Sequence, residues 1–345
     1  MINSNINKEV GISIIIPCYN ASAYLGRLSN CIDQQLKSCL GANNQIVEFV
    51  FVNDGSKDDT LQQLLRIKEK YPLYITVVDQ PNMGVSAARN AGVDKSKGKY
   101  IGFLDSDDVL KEDAISFLLQ KILEDDFDVL IYGYKSIKDF SEIESFKSNN
   151  SVEVIYDGML RDYYLRFDPI VVWRMLYKSN LIKENNIKFP PITIGEDTLF
   201  NFCVFMMEGR VKHIDSVLCY HIDSENSLTT SVNAAYVRKI VSSVVTIQES
   251  YNNYISEKEL TPEIVSKIGS HRKRQVYFVF SKLIASTNRF PTSEINKIRK
   301  ELEESEAFPI VAVSWREHLI NIAFRRPWLL HCLYYLQRIR RIICG

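Results

Sequence analysis

Short β-branched or aromatic runs alternate with segments of helical period through the first third of this chain, and that alternation limits the fold more than any other feature. The runs are ISIII (12–16), IVEFVFV (46–52), LYITVV (73–78), KYIGFL (99–104) and FDVLIY (127–132). Each has the length and residue types of a buried strand. Between them, 21–36, 58–70, 85–95 and 111–123 carry apolar side chains at helical spacing, with Asp58 and Ser86 near two of the starts. Strands joined through helices run parallel, with helices on both faces, and ligands then bind beyond the carboxyl ends of the strands. The expected fold is α/β, with a Rossmann-like mixed, mainly parallel sheet flanked by helices.

Those strand ends read PCYNAS, NDGSKDDT, DQPNMGVSAARNAG and DSDD. Taken singly, NDGS is a turn, DSDD is a helix start or a solvated loop, and Tyr19 is a packing aromatic. Four polar clusters on one edge of one sheet favour a binding site instead. Three carboxylates within four residues repel one another unless solvent, a helix start or a cation stabilises them. Asp105 and Asp107 lie two apart where a strand opens into a loop. One can reach a sugar hydroxyl and the other a divalent cation bridging a diphosphate, since magnesium and manganese take oxygen ligands from carboxylates and phosphates. Asp108 can instead cap a helix starting near Lys111.

In order along the chain, SIIIPCYNASAYL, FVFVNDGSKDDT, NMGVSAARNAG, GKYIGFLDSDDVL, VVWRMLYKSNLIKENNIKFP and GEDTLFNF resemble the landmarks of family 2 glycosyltransferases of the A-type fold, in particular bacterial enzymes of surface-polysaccharide assembly. The resemblance spans roughly residues 12–230. It implies that Tyr19 lies against the nucleotide base and that Asp54 hydrogen-bonds it. Pro17, Asn20 and Gly55 would shape that pocket, and Arg89 would sit near the nucleotide. Asp105 and Asp107 match the DxD motif for the ribose or sugar and for Mn2+ or Mg2+. Asp197 matches the catalytic base, with Glu196 beside it.

Asp197 has a reading from its own surroundings as well. GEDTLFNFCVFMM predicts a helix beginning near Glu196, with Leu199, Cys203 and Met206 or Met207 on one buried face. A carboxylate at a helix N-terminus is favoured as an anion, which either complements the helix dipole or accepts a proton. Two acidic clusters far apart in sequence suit an inverting sugar transfer, in which one carboxylate takes the acceptor proton while a metal and its acidic ligands steady the departing diphosphate. Arg174 can meet the donor or pair with a surface carboxylate. His221 falls where a late histidine completes the metal shell in some A-type enzymes, and is otherwise a structural or substrate-side residue. Trp173 reads as core or as an acceptor platform.

After about residue 230 the strand signals stop and helical periods take over, so the chain divides into a nucleotide-sugar-binding catalytic domain (1–230) and a helical C-terminal region (231–345). Lys plus Arg equal Asp plus Glu at 42 each, which argues against nucleic acid as a partner. Residues 311–345 nevertheless hold six arginines against one glutamate, interleaved with Trp, Tyr, Leu and Ile. Such a segment rests on an anionic bilayer or folds onto its own domain, and Pro327 can open a second short helix within it. The acceptors of the enzymes it resembles are often lipid-carried, so a polyprenyl-diphosphate-linked saccharide is the expected acceptor and a nucleoside diphosphate sugar, UDP-linked, the expected donor. Seven scattered cysteines without a CxxC pair read as thiols in a reducing compartment, and no apolar run nears the roughly 20 residues that cross a bilayer. The expected location is the cytoplasm, with peripheral contact to the inner membrane, and a homodimer stays open. A dinucleotide oxidoreductase would need GxGxxG after the first strand, where PCYNASAYLG stands. A non-catalytic nucleotide-sugar binder of the same fold is the remaining rival.

Overall fold

The computed structural model describes residues 9–39, 45–138, 141–144, 152–222, 233–286 and 290–344. It divides into two compact units, one of 1–191 with 196–224 and one of 192–195 with 225–345.

The first unit opens with β1 (Glu9–Cys18), α1 (Ser22–Ser38), β2 (Gln45–Asp54), α2 (Thr60–Lys70), β3 (Ile75–Gln80), α3 (Val85–Lys95) and β4 (Tyr100–Phe103). These strands pair in parallel in the order β3-β2-β1-β4. Residues 12 to 16 of β1 are buried on both faces, as a central parallel strand covered by helices requires. One of those helices, α3, approaches β1 so closely that a Cβ on Gly92 would come within 2.3 Å of Ile15 Cγ2. That contact holds Arg89, one turn earlier on the same helix, at a fixed place behind the strand ends.

Past β4 the pattern changes. The elements are β5 (Val109–Leu110), α4 (Ala114–Glu124), β6 (Val129–Ile137), α5 (Ser141–Glu144), β7 (Val154–Met159), α6 (Leu160–Arg166), β8 (Met175–Lys178), α7 (Ser179–Lys183), α8 (Glu196–Phe205) and β9 (Arg210–Ile222). Strand β8 enters antiparallel between β4 and β6, and the sheet continues β4-β8-β6-β9-β5, with β7 pairing β9. The fifth predicted strand, β6, is therefore not the neighbour of the fourth. Simple alternation missed β8 because its four residues, MLYK, give no period to read.

Helix α8 begins at Glu196 as expected, with Leu199 and, just past its end, Met206 buried, and departs from expectation in the rest of its burial. It ends at Phe205 and is buried at Leu199, Phe200, Asn201, Phe202, Val204 and Phe205, while Cys203 is only half-buried. Phe200 stacks on Phe189 at 4.0 Å and meets Phe103 edge-on, and Tyr177 donates to Asn201 Oδ1 at 2.6 Å. A helix enclosed on most sides needs apolar residues all round rather than a stripe.

The second unit carries α9 (Ala234–Glu257), α10 (Pro262–Ala285), α11 (Thr292–Glu304), α12 (Trp315–Arg325) and α13 (Pro327–Cys344). Asn233 caps α9 by accepting from the Tyr236 N–H, and Ser314 with Glu317 forms a reciprocal capping box on α12. Pro327 opens α13 at its first position, where a missing N–H removes nothing. Val237, Val276, Val279, Ile298, Leu302, Ala323 and Phe324 form its core. Among the described residues no helix is long and apolar enough to cross a membrane.

Candidate active site

The carboxyl ends of β1 and β2 form a rigid floor. Asn20 sits at φ 50°, a conformation asparagine tolerates, and ties two turns together. Its N–H donates to Ser56 Oγ (3.0 Å) and its Oδ1 accepts from the Lys57 N–H (2.8 Å). Gly55, at φ 65°, passes so near the next loop that a Cβ would lie 2.5 Å from Asn82 N. Buried Asp54 accepts from Gln80 Nε2 (2.8 Å) and the Met83 N–H (2.9 Å) on Oδ1, and from the Gly84 N–H (2.8 Å) on Oδ2. Those bonds shape the loop that feeds α3 and leave one lone-pair site on Oδ2. Pro17, half-buried, is in register with Val52. Tyr19, beside the likewise exposed Asn20, is 50% exposed. An open aromatic face beside a fixed polar floor suits the flat face of a base.

Arg89 is where the sequence reading is most incomplete. Its side chain is 5% exposed, and Nη1 donates to Asp197 Oδ1 (2.7 Å) and Glu196 Oε1 (3.0 Å) while Nη2 donates to Asp105 Oδ1 (3.1 Å). One guanidinium thus joins two acidic clusters that lie about ninety positions apart in the chain. The planar fork of arginine, with donors fixed on two separate nitrogens, suits such a three-way contact. The guanidinium also lies over the Phe189 ring, and Asn90 clamps Phe189 through both backbone polar groups at 2.9 Å. Burial works against the charge on Arg89, but the fields of Asp197, Asp105 and Glu196 more than offset it, so it stays a cation. Asp197 Oδ2 accepts from the Val172 N–H at 3.2 Å. With one donor on each oxygen its carboxylate is held in place and keeps lone pairs free to take a proton. Burial raises the Asp197 pKa, Arg89 pulls it back, and Glu196 and Asp105 push it up again; the net shift is upward.

The DSDD run divides its labour. Asp107 is half-buried, makes no ion pair among the described residues, and is raised in pKa by burial and by Asp105. Arg27 Nη2 fixes its backbone by donating to the carbonyl at 2.9 Å. Asp108 is fully buried and does not cap a helix: α4 starts at Ala114, after Asp113. It accepts instead from His221 Nδ1, 3.0 Å from each carboxylate oxygen, and from the Ile222 N–H at 3.0 Å. Burial lifts the Asp108 carboxyl to about 6 against the hydrogen bond from His221, and that bond raises His221 in turn. The His221 ring lies parallel to Trp173 (5.1 Å, 9°), which meets Tyr134 edge-on at 4.6 Å. With the proton on Nδ1 directed at Asp108, Nε2 could ligate a metal, as where a carboxylate orients a metal-binding histidine.

Among the described residues Arg174 makes no ion pair with the carboxylate cluster or with a surface carboxylate. Its Nη2 donates to His213 Nε2 at 2.8 Å and its guanidinium lies over Tyr134. His213, bonded to the Tyr163 hydroxyl on Nδ1, is pushed down to about 4 by burial and by Arg174, so it is neutral and can accept.

Among the described residues no three His, Cys, Asp or Glu side chains form a ready-made metal cage. Magnesium and manganese sites that draw most ligands from phosphates and water need none. Asp107, which makes no ion pair among the described residues, and His221, oriented by Asp108, could serve as donors of that kind. Among the described residues the ion pairs of Asp105, Glu196 and Asp197 all go to Arg89.

Residues 13–184 match the model of Glycosyl transferase family 2. A glycosyltransferase of Haemophilus influenzae is 31% identical over 177 residues, which cover 51% of this chain and 67% of that relative. The chain belongs to glycosyltransferase family 2. The glycosyltransferase EpsJ of Bacillus subtilis is 31% identical over 225 residues, 63% of this chain, and the match spans 62% of EpsJ. TarS 1-349 of S. aureus, in its complex with UDP-GlcNAc, superposes with a TM-score of 0.56 over 92% of each chain at 19% identity. The family 2 chain thus has the A-type glycosyltransferase fold, followed by a helical C-terminal region.

Proposed function

We propose that this chain is a metal-dependent, inverting glycosyltransferase that moves a sugar from a UDP-linked donor to a hydroxyl of a saccharide acceptor. The observation that carries the reading is the Arg89 bridge, which keeps Asp197 within one guanidinium of the DxD carboxylate Asp105. In this reading Asp197, held by Arg89 and Val172, takes the proton of the acceptor hydroxyl. The acceptor oxygen bonds to the anomeric carbon from the face opposite the diphosphate, and the bond to the diphosphate breaks with its electron pair. Tyr19, Asp54 and the turns of Asn20 and Gly55 hold the nucleoside. A divalent cation held by Asp107 and His221 would supply positive charge to the departing diphosphate. The complex of TarS with UDP-GlcNAc supports a uridine donor. Residues 1–230 would do this chemistry, with 231–345 serving the acceptor or a membrane. The reading extends to surface-polysaccharide assembly with a polyprenyl-diphosphate-linked acceptor at the cytoplasmic face of the inner membrane; a hyaluronan synthase and a chondroitin synthase of Pasteurella multocida among its relatives support the polysaccharide part alone.

A panel of nucleotide sugars, each tested with and without Mn2+, checks this directly. Release of UDP that depends on the metal is the expected outcome; affinity for UDP without turnover would make the chain a binder. Asp107→Asn is expected to abolish the metal-dependent release while leaving the melting temperature unchanged, and full activity in the presence of a chelator would refute the metal assignment.

The orienting carboxylate has its own test. Asp108→Ala strips His221 of its partner, and loss of such a group typically lowers metal affinity about 10- to 100-fold. Titration of free Mn2+ by electron paramagnetic resonance, with UDP present, should read that loss. An unchanged Mn2+ affinity would return His221 to a structural role.

A further inference from the structure

The helical unit contains an open apolar groove of about 550 Å³ between α10, α12 and α13, lined by Tyr277, Phe280, Ile284, Trp315, Leu319 and Leu336. Trp315 is 71% exposed and Leu336 61% exposed, although their neighbours Ile320, Phe324, Leu330 and Tyr334 are buried in the core of the same unit. The apolar residues of 311–345 thus separate into those that hold the unit together and those left facing water. The second set lies with cations. Arg316 lines the groove and its guanidinium sits over the Trp315 ring, and Arg325 and Arg326 are exposed.

Charge is segregated to the same three helices. In a chain with equal numbers of acids and bases, α10, α12 and α13 carry ten Lys and Arg against two Glu. One of those two, Glu317, is committed to the α12 capping box and to Lys273. A water-facing apolar groove rimmed by tryptophan and arginine, on helices that do not span, has the chemistry of a surface that sits in the headgroup layer of an anionic bilayer.

We infer that the α10–α12–α13 groove docks on an anionic membrane surface, with Trp315 and Leu336 entering the acyl boundary and the arginines meeting lipid phosphates. The inference extends the proposed lipid-borne acceptor by naming the surface that would bring the chain to it. Its test uses neither donor nor acceptor, so a failure here leaves sugar transfer to be judged separately.

The full chain is incubated at low salt with vesicles of phosphatidylcholine alone and with vesicles of equal parts phosphatidylcholine and phosphatidylglycerol. Sedimentation with the mixed vesicles only, weakened by added salt, is expected. Lipids brominated on the acyl chain should quench tryptophan fluorescence, and Trp315→Ser should reduce that quenching. Trp315→Ser with Leu336→Ser, both at exposed positions, should weaken vesicle binding by roughly tenfold or more, since two large apolar side chains no longer leave water. The melting temperature and UDP release should stay as in the parent. Three results would overturn the inference: no binding to mixed vesicles at low salt, equal binding to the neutral ones, or full binding by the double variant. A fourth is a parent that ignores vesicles and sediments as a dimer which Trp315→Ser dissociates, for then a second copy of the chain covers the groove.

Discussion

Asp197→Asn is expected to lower kcat by roughly 10²- to 10⁴-fold, the span of a lost general base, while the affinity for UDP measured by titration calorimetry stays nearly constant. The argument rests on where the carboxylate is held. Asparagine keeps the shape, but its single oxygen can replace only one of the two acceptors that meet Arg89 and the Val172 N–H, so the fold around α8 should survive at some cost in stability. What it loses is the basicity by which, in the proposed reaction, Asp197 takes the acceptor proton. The pH dependence gives a second readout. A base works only when ionised, and the folded pKa of Asp197 is raised by burial, with Glu196 and Asp105 adding to the rise and Arg89 opposing it. The ionised fraction therefore falls as pH drops through a value above the ordinary aspartate range. The acid limb of the kcat/KM profile should lie higher than about pH 4, where a free aspartate would put it, and should vanish in Asp197→Asn. An equal loss of UDP affinity in the variant would place Asp197 on the donor side instead.

Much of the first half of the fold could be read in advance because its strands are buried on both faces and so appear as nearly continuous apolar runs. Val47 to Val52 and Ile12 to Ile16 are examples, each broken by one buried polar residue, Glu48 and Ser13, which hydrogen-bond each other, and their parallel pairing follows from the helices between them. The second half gave less away. β8 is four residues long and β5 two, and their pairing with β4, β6 and β9 depends on contacts across long sequence separations. The burial of α8 on most sides depends likewise on Phe103, Tyr177 and Phe189, none of which is local to it.

At the site, the sequence named the residue types and missed several of their partners. Asp105, Asp107, Glu196 and Asp197 stood out because clustered carboxylates at strand or helix ends are expensive and seldom accidental. Asp108 was read as a helix cap near Lys111, which it is not. Its burial against His221, 113 positions away, becomes visible only when β9 is laid beside β5 and β6. Arg174 was legible as a cation that meets the donor or a surface carboxylate, and the sequence did not show its neutral partner, His213 on a neighbouring strand.

Arg89→Met should have the largest effect on stability of any single substitution at the site. Arg89 is almost wholly buried, and its removal leaves Asp105, Glu196 and Asp197, with side-chain exposures of 31%, 15% and 16%, facing one another without a cation. Breaking a buried ion pair from one side typically costs about 3–5 kcal/mol, because the surviving charge has lost its partner but not its desolvation. A shift of that size should appear as a clear fall in the urea midpoint with an unchanged m-value. Removing one of the stranded charges as well should return part of it, so Arg89→Met with Glu196→Gln is expected to be more stable than Arg89→Met alone. Arg89→Lys should fall between, since an ammonium keeps the charge but cannot span Asp105 and Asp197 with a rigid fork. The pattern separates two roles for the residue. A guanidinium that served only the nucleotide would leave the urea midpoint of Arg89→Met untouched and raise the Kd for UDP, and the Glu196→Gln partner would rescue nothing. A bridge between base and donor carboxylate predicts the reverse ordering, with stability lost first and regained in part when the excess negative charge is removed.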